Sequence, residues 1–279
     1  MKLYTIPTGT LKLDGGSMFG VVPKVLWSKV YPADENNLCT WAMRCLLVDA
    51  GDRKILIDNG AGHDHDEKFN TLYGLTGEDT LSESLAAYGM TTGDITDVLL
   101  THLHFDHCGG SVRYNEDRSN LIPAFHSATY WVSRAQWENA HHPNQREKAS
   151  FLKNIFTSLS EYGNIQFIND EGELFPDITV RFFNGHTHGQ IIPFIRYRNT
   201  TVVFTADLIP STAHIPLSWM LSFDMQPMVT LQEKEDFLNE AADNQYILFL
   251  EHDIFHECCT VQRTEKGVRL KEAFYFHET

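Results

Sequence analysis

The chain has 279 residues, 42% of them hydrophobic and 21% charged, which is enough apolar material for a full globular core. Its 37 acidic and 22 basic side chains give a formal net charge of −15, which lacks the electrostatic footprint of a general nucleic-acid binder or an anionic-membrane binder. No apolar run approaches the roughly 20 residues of a membrane span, so we expect neither nucleic acid nor a membrane as a partner.

The first half of the chain combines strand patterns with one helix. Alternating or continuous apolar residues predict strands at residues 3–13, 44–49, 54–58 and 95–100. The second and third of these strands flank Gly51-Asp52, which is typical of a hairpin. Thr80 and Glu83 form a capping-box pattern, and Gly89 is a typical C-terminal stop, so a helix is predicted over 81–88.

Strands and helices continue to interleave in the second half. Strands are predicted at residues 124–132, 165–168, 178–183, 191–197, 201–205 and 246–250. Helices are predicted over 133–159, with a break near Pro143, and over 231–242, where Thr230 and Glu233 repeat the capping-box pattern. No internal repeat or flexible linker divides the chain, so we predict a single α/β domain spanning residues 1–279, with two similar halves fused without a seam as the alternative.

The cysteines indicate a reducing compartment. The five of them, Cys39, Cys45, Cys108, Cys258 and Cys259, show neither CxxC pairs nor the spacing of a disulfide framework. The first residues also lack the apolar core and the cleavage site of a signal peptide. We therefore expect reduced thiols, buried as small hydrophobic side chains, in a cytoplasmic protein.

The strongest functional signal is the loop that follows the predicted strand at 95–100. It reads Thr101-His102-Leu103-His104-Phe105-Asp106-His107, with four potential metal ligands in six positions. Composition alone predicts about 0.002 occurrences of this His-x-His-x-Asp-His pattern in such a chain. Residues two apart in an extended segment point to the same side, so His102 and His104 can chelate one ion together. Asp106 and His107 can serve a second ion where Gly109-Gly110 lets the chain turn. This donor set suits zinc, iron or manganese.

Further candidate ligands follow other predicted strands. His186 comes directly after the strand ending at Phe183, Asp207 follows Val202-Val203-Phe204, and His252 follows the strand at 246–250. Functional side chains commonly lie on loops held at the ends of a rigid sheet. These three residues therefore supply the additional ligands that two metal ions require.

In this order along the chain, the residues resemble the metallo-β-lactamase superfamily of binuclear hydrolases. The resemblance covers nearly the whole chain and implies a four-layer αβ/βα sandwich with the metals between the sheets at one edge. It implies a first metal bound by His102, His104 and His186, a second bound by Asp106, His107 and His252, and a bridging ligand, Asp207.

Two features narrow the resemblance within the superfamily. Asp207 stands where the antibiotic-hydrolysing zinc lactamases carry a cysteine, which argues against a β-lactamase. The segment 13–23 and the stretch Ala206-Asp207-Leu208-Ile209-Pro210, followed by His214 and Trp219, resemble the branch of quorum-quenching lactonases and methyl parathion hydrolase. The chain departs from the family where His186-Thr187-His188-Gly189-Gln190 replaces the common His-Thr-Pro-Gly-His. It also lacks the tyrosine that one lactonase subgroup carries shortly after the bridging aspartate.

The resemblance implies a metal-dependent hydrolase. A hydroxide that bridges two divalent ions, expected to be zinc although iron and manganese accept the same ligands, would attack a small ester-like substrate. Asp207 would hold both ions, and Asp106 would guide the proton to the leaving group. The favoured substrate is a lactone resembling an N-acyl-homoserine lactone.

Other functions remain open at this point. Within the superfamily the alternatives are a phosphotriesterase or arylesterase and a phosphodiesterase-type hydrolase, including an RNA-processing nuclease, although the net charge disfavours nucleic acid. A diiron redox protein is disfavoured because such relatives carry a glutamate where this chain has His104. A non-catalytic binding protein is disfavoured because all seven ligand positions are intact.

Residues around the predicted metals have expected roles as well. Asp58, at the end of a strand, is the best partner for the second nitrogen of a ligand imidazole. His188 and His214 are candidates for contact with the substrate or the metal shell. Phe19 and Trp27 belong to an apolar segment at residues 18–31, which either packs on the domain or in a homodimer, or forms a lid over an apolar substrate cleft.

Overall fold

The computed structural model describes residues 1–77 and 80–276. Its strands are β1 (Lys2–Asp14), β2 (Leu38–Asp49), β3 (Lys54–Ile57), β4 (Asp97–Leu99), β5 (Val112–Tyr114), β6 (Leu121–Pro123), β7 (Thr129–Ser133), β8 (Asn164–Ile168), β9 (Gly172–Phe175), β10 (Ile178–Phe183), β11 (Gln190–Tyr197), β12 (Thr200–Phe204), β13 (Ile247–Phe249), β14 (Cys258–Thr264) and β15 (Gly267–Phe274). Its α-helices are α1 (Gly15–Phe19), α2 (Lys24–Trp27), α3 (Glu67–Tyr73), α4 (Thr80–Ala87), α5 (Phe105–Cys108), α6 (Arg134–His141), α7 (Lys153–Tyr162) and α8 (Pro227–Asn244). Short 3-10 turns lie at Thr92–Asp94, Gly109–Ser111, Lys148–Ser150, Ala206–Leu208 and Thr212–His214.

The described strands form two large sheets and a small ribbon. One sheet has the order β1-β2-β3-β4-β7-β8, the other has the order β15-β14-β13-β12-β11-β10-β9, and β5 pairs with β6. The α/β class predicted from the sequence is therefore present in both halves of the chain. In the part of the chain that the structure describes, no helix is both long enough and apolar enough to cross a membrane.

The described residues cluster into two compact units. The first unit contains Met1–Leu11 and Met43–Asp170, and the second contains Lys12–Ala42 and residues 171–276. The single domain over residues 1–279 stays a prediction.

In the first unit, parallel pairing brings strand ends together. Strands β3, β4, β7 and β8 pair in parallel, so the loops after them leave from the same edge of the sheet. In β4, Val98 and Leu99 point to opposite faces of the sheet and are both fully buried, so both faces of the strand are covered. The His-rich loop starts directly after this strand.

In the second unit, three candidate strands point in the same direction. Strand β12 pairs in parallel with β13. Strand β10 pairs antiparallel with β11, and β11 pairs antiparallel with β12, so two reversals give β10 the direction of β12. The carboxyl ends of β10, β12 and β13 therefore meet at one edge of this sheet. His186, Asp207 and His252 follow these three ends.

The structure corrects several predicted elements. The predicted strand over 124–132 is wrong in its first part, because the strand begins only at Thr129, after a turn in which Ala128 N donates to Phe125 O. Helix α8 begins at Pro227 rather than after Thr230, so Glu233 lies inside the helix and forms no capping box with Thr230. The break predicted near Pro143 is confirmed, since α6 ends at His141 and α7 begins at Lys153.

Candidate metal centre

The loop after β4 holds its histidines by backbone packing and burial. His102, His104 and His107 are all buried, and α5 begins directly after His104. A side chain at Gly109 or Gly110 would collide with the carbonyl oxygen of Ala61 or Asn59, so only glycine lets the loop lie this close to residues 59–61. The motif is therefore a packed, ordered loop of the first unit.

Asp58 orients two of these imidazoles. Its Oδ1 accepts from the Thr101 backbone N–H at 2.7 Å, and its Oδ2 lies 2.6 Å from Thr101 Oγ1 and 3.1 Å from His107 Nδ1. Thr101 donates its only hydroxyl proton to this carboxylate, so the hydroxyl accepts from His102 Nδ1 at 3.1 Å. In a neutral ring the second nitrogen then carries a lone pair. This leaves Nε2 of both His102 and His107 as the nitrogens that can bind a metal ion.

His104 has the opposite tautomer. Its Nε2 donates to Glu147 Oε1 at 3.2 Å, and the buried carboxylate also accepts from the amides of Asn139 and Asn144. The lone pair of a neutral His104 ring therefore lies on Nδ1. That nitrogen is 3.1 Å from His102 Nε2, so two lone pairs face each other.

A metal ion fits this pair of nitrogens. Two nitrogens that each lie about 2.1 Å from one tetrahedral zinc ion are about 3.4 Å apart. The observed 3.1 Å between His102 Nε2 and His104 Nδ1 is close to that spacing. Asp106 adds a carboxylate beside the third imidazole, since its Oδ2 lies 3.8 Å from His107 Nε2.

In the second unit, two candidate histidines face the carboxylate of Asp207 in a similar arrangement. Its Oδ2 lies 3.2 Å from His186 Nε2, and its Oδ1 lies 3.1 Å from His252 Nε2. The opposite nitrogens are already used, because His186 Nδ1 donates to Asp224 Oδ1 at 3.0 Å and His252 Nδ1 donates to Ala42 O at 2.7 Å. Each neutral ring therefore turns a lone pair towards one carboxylate oxygen. Cations placed beside both oxygens would satisfy this arrangement, which is the donor geometry of a bridging carboxylate.

His214 lies in the second unit with both ring nitrogens in hydrogen bonds. Its Nε2 donates to Met18 O at 2.8 Å, and its Nδ1 accepts from Ser211 Oγ at 2.7 Å. Burial lowers the pKa of His214 to about 3, although the bond to Met18 acts in the other direction. The ring is therefore neutral and structurally anchored, and its predicted contact with substrate or metal stays a prediction.

Phe19 and Trp27 belong to an aromatic cluster with His214. The Phe19 ring stacks on His214 at 4.8 Å and on Trp27 at 5.1 Å, and both aromatic residues are buried. Val21 and Val25, from the same segment, are instead exposed. The inward face of residues 18–31 thus packs within the second unit, while the roles of lid and dimer contact stay predictions. His188 is exposed.

Sequence reasoning missed two carboxylates that hold candidate ligands. Glu147 lies 43 positions after His104, and Asp224 lies 38 positions after His186. Neither residue belongs to a motif, and both contacts form only through tertiary packing. The one local signal for Glu147 is the polar run Asn144-Gln145-Arg146-Glu147 that follows Pro143.

Comparison with known families decides the membership of the chain. The family model described as the metallo-beta-lactamase superfamily matches residues 44–252. The chain belongs to this superfamily. This match includes all seven candidate ligands, and the resemblance predicted from the sequence is confirmed.

Individual relatives agree with this assignment. N-acyl homoserine lactonase AiiA of Bacillus thuringiensis subsp. kurstaki is 25% identical over 271 residues, which cover 92% of this chain and 94% of that protein. The structure of a probable metal-dependent hydrolase from Staphylococcus aureus matches with a TM-score of 0.89 and 29% identity, over 99% of this chain and 97% of that one. AidC, a dizinc quorum-quenching lactonase, matches with a TM-score of 0.79 and 22% identity, over 99% and 95% of the two chains. The metallo-β-lactamase fold is confirmed, and the chain is a metal-dependent hydrolase.

Proposed function

We propose that this superfamily member is a binuclear hydrolase of a small ester-like substrate, with a lactone of the N-acyl-homoserine-lactone type as the favoured substrate. The observation that carries the proposal is the hydrogen bonding shared by the imidazoles of the proposed ligands. In each unit, hydrogen bonds occupy one nitrogen of every histidine assigned as a metal ligand and leave the other nitrogen facing a second donor atom. Such facing lone pairs are the arrangement that bound cations stabilise.

We assign the ligands by the superfamily pattern. One ion is held by His102, His104 and His186, the other by Asp106, His107 and His252, and both by Asp207. Zinc is the expected metal, while iron and manganese accept the same nitrogen and oxygen donors. Asp58, Glu147 and Asp224 would keep the ligand rings in the required tautomers.

The chemistry of the site follows from this donor set. When bound, the two divalent ions would supply a water of lowered pKa, about 7, and a positive charge that polarises the substrate's reacting oxygen. Asp106, on the first turn of α5, would accept a proton from the attacking water and pass it to the leaving oxygen. Asp207 would hold both ions, since its Oδ1 faces His252 and its Oδ2 faces His186. No serine or cysteine nucleophile is needed in this scheme.

An aromatic wall next to the motif supports a substrate with an apolar substituent. Phe105 lies between the candidate ligands His104 and Asp106, and its ring contacts Tyr73 at 4.5 Å and Phe69 at 5.1 Å. Phe69 and Tyr73 are half-buried on α3, so a face of this cluster remains accessible to a ligand. An acyl chain or an aryl group matches this surface. The lactonase name of the relatives in Bacillus favours the acyl lactone.

We also propose a cytoplasmic location, no nucleic-acid substrate and a contact between two copies of the chain. All five cysteines are buried free thiols, which supports a cytoplasmic protein. The net charge of −15 disfavours nucleic acid as a substrate. The exposed apolar side chains of Val21, Val25 and Val30 are compatible with a homodimer contact.

A hydrolysis panel tests the substrate class. Purified protein is assayed with acyl-homoserine lactones of several chain lengths, simple lactones, aryl esters, phosphotriesters and a phosphodiester, with and without EDTA. The proposal expects the highest kcat/KM on the acyl lactones, and loss of that activity with EDTA. A clear preference for phosphotriesters or phosphodiesters would overturn the substrate assignment, and EDTA-resistant activity would overturn the metal chemistry.

A further inference from the structure

Helix α8 holds the turn that precedes His186. The Glu233 carboxylate accepts from the backbone N–H groups of Asn184 at 2.7 Å and Gly185 at 3.0 Å. The residue before the helix, Gln226, donates its backbone N–H to Gly185 O at 2.8 Å and its side-chain amide to Asn184 O at 3.1 Å. The backbone of both residues before His186 is therefore bonded to Glu233 on this helix and to Gln226 directly before it.

This turn lies directly against the helix. A side chain at Gly185 would collide with the backbone nitrogen and the hydroxyl of Thr230. Close packing of this kind leaves little room for the turn to shift without moving the helix. The position of His186 is thus coupled to α8.

The next residue of the helix, Lys234, holds a second segment. Its Nζ is almost fully buried and donates to Pro216 O at 3.0 Å and to Trp219 O at 2.6 Å. The chain then continues to Asp224, which accepts from His186 Nδ1, and to Met225, whose N–H donates to His186 O at 3.0 Å. Lys234 therefore anchors the segment that sets the tautomer of His186.

Lys234 is buried and Glu233 is half-buried, which is unusual for charged side chains. Burial lowers the pKa of Lys234 to about 7, opposed by the charge of Asp224, and burial raises the pKa of Glu233. Well-packed apolar side chains often stabilise a protein as well as buried charged groups do. A lysine that binds two carbonyl groups does, however, hold a loop in one conformation through directional bonds.

We propose that Glu233 and Lys234 are positioning residues for His186, because they anchor the two chain segments that determine where this imidazole lies and which nitrogen carries its proton. The inference rests on the proposed function, in which His186 binds a metal ion. Both residues act through the 184–185 turn and through Asp224.

The test compares conservative variants in the full-length chain. Glu233→Gln replaces one of two acceptors with a donor, and Lys234→Met removes the ammonium group while it keeps the length of the side chain. Glu240→Gln is the matched control, because Glu240 lies on the same helix. Its two carboxylate oxygens accept from the guanidinium of Arg181, on β10, at 2.7 and 2.9 Å. Zinc retention is measured by competition with a chromophoric chelator, and the thermal midpoint is measured after chelator treatment.

The expected result separates metal binding from stability. Removing groups that orient a metal ligand typically weakens metal affinity about 10- to 100-fold. Glu233→Gln and Lys234→Met should therefore release one zinc ion per chain at least tenfold more readily than Glu240→Gln, whose zinc affinity should equal that of the wild type. If Lys234→Met does not fold, Glu233→Gln decides the test alone.

Two contrary results are distinguishable. Wild-type protein that binds zinc, together with variants that retain it as tightly as Glu240→Gln does, would overturn the positioning roles and leave the proposed function intact. Wild-type protein that binds no divalent metal would overturn the proposed function, and the positioning roles with it.

Discussion

His102 Nε2 lies 3.1 Å from His104 Nδ1, and hydrogen bonds on the far side of both rings direct a lone pair from each nitrogen towards the other. Thr101 accepts from His102, and Glu147 accepts from His104. The two histidines lie two positions apart in the motif but have different tautomers. A bound cation explains this difference, because one ion can then accept both lone pairs.

Glu147→Gln tests the tautomer of His104. Glutamine can turn its NH₂ group towards His104 Nε2, and the imidazole then loses the acceptor that keeps the proton on that nitrogen. We expect zinc affinity to fall about 10- to 100-fold, with a smaller effect on folding stability. Chelator competition measures this. Glu138→Gln, at an exposed position on α6, is the control, and equal zinc affinity in the two variants would contradict the assigned role.

Thr101→Val tests the relay from Asp58 to His102. The substitution keeps the shape of the side chain but removes the hydroxyl that accepts from His102 Nδ1 and donates to Asp58 at 2.6 Å. A buried donor and a buried acceptor lose their partner, so the free energy of unfolding should fall by about 1–3 kcal/mol, and zinc affinity should fall as well.

The control for this variant is Thr96→Val. It removes a hydroxyl that donates to Asp97 at 2.7 Å, in the same unit but away from the candidate ligands. Urea unfolding and zinc titration of both variants separate the two effects. Zinc affinity that drops equally in both would show that the loss is general rather than transmitted through His102.

How far the sequence predicts this site depends on the range of each interaction. The candidate ligands were predictable because each follows a short apolar strand, and a polar residue at that point is a local signal. Glu147, Asp224 and Lys234 were not predictable in this way. Their contacts join residues 15 to 43 positions apart, and they depend on how loops pack onto helices.

The error at α8 has a local cause. Thr230 and Glu233 match the capping-box pattern, yet the helix begins one turn earlier, with Pro227 in its first turn. Proline is favoured at that position because its missing N–H has no partner inside the helix. Glu233 is thereby free to accept from the turn before His186 rather than from its own helix terminus.

Asp207→Ala tests the bridging carboxylate. The two oxygens face different imidazoles, so their removal should weaken both metal positions and abolish hydrolysis. Metal content and kcat are measured in this variant and in the control Asp243→Asn, which breaks an exposed ion pair with Arg263. Retention of two ions and of substantial activity in Asp207→Ala would refute the bridging role.

His214 predicts a pH dependence of stability. Its pKa is about 3 in the folded protein, whereas the ordinary value is 6.5. Between these two pH values the imidazole is therefore protonated in the unfolded chain and neutral in the folded chain. Stability from this residue is therefore complete above pH 6.5 and is lost as the pH falls, by up to about 1.4 kcal/mol per pH unit.

His214→Gln should remove that contribution. Urea unfolding of chelator-treated wild type and variant, from pH 7 to pH 4, gives the two slopes of unfolding free energy against pH. The variant should lose stability less steeply than the wild type. Parallel curves would show that His214 does not resist protonation in the folded state.

Metal analysis of the purified protein tests the central claim most directly. Elemental analysis after dialysis should find about two divalent ions per chain, which is the number that the proposed ligand set holds. Treatment with EDTA should remove these ions and lower the thermal midpoint, because ligand binding stabilises the folded state. A chain that contains no divalent metal, and whose thermal midpoint is unchanged by EDTA, would contradict the account.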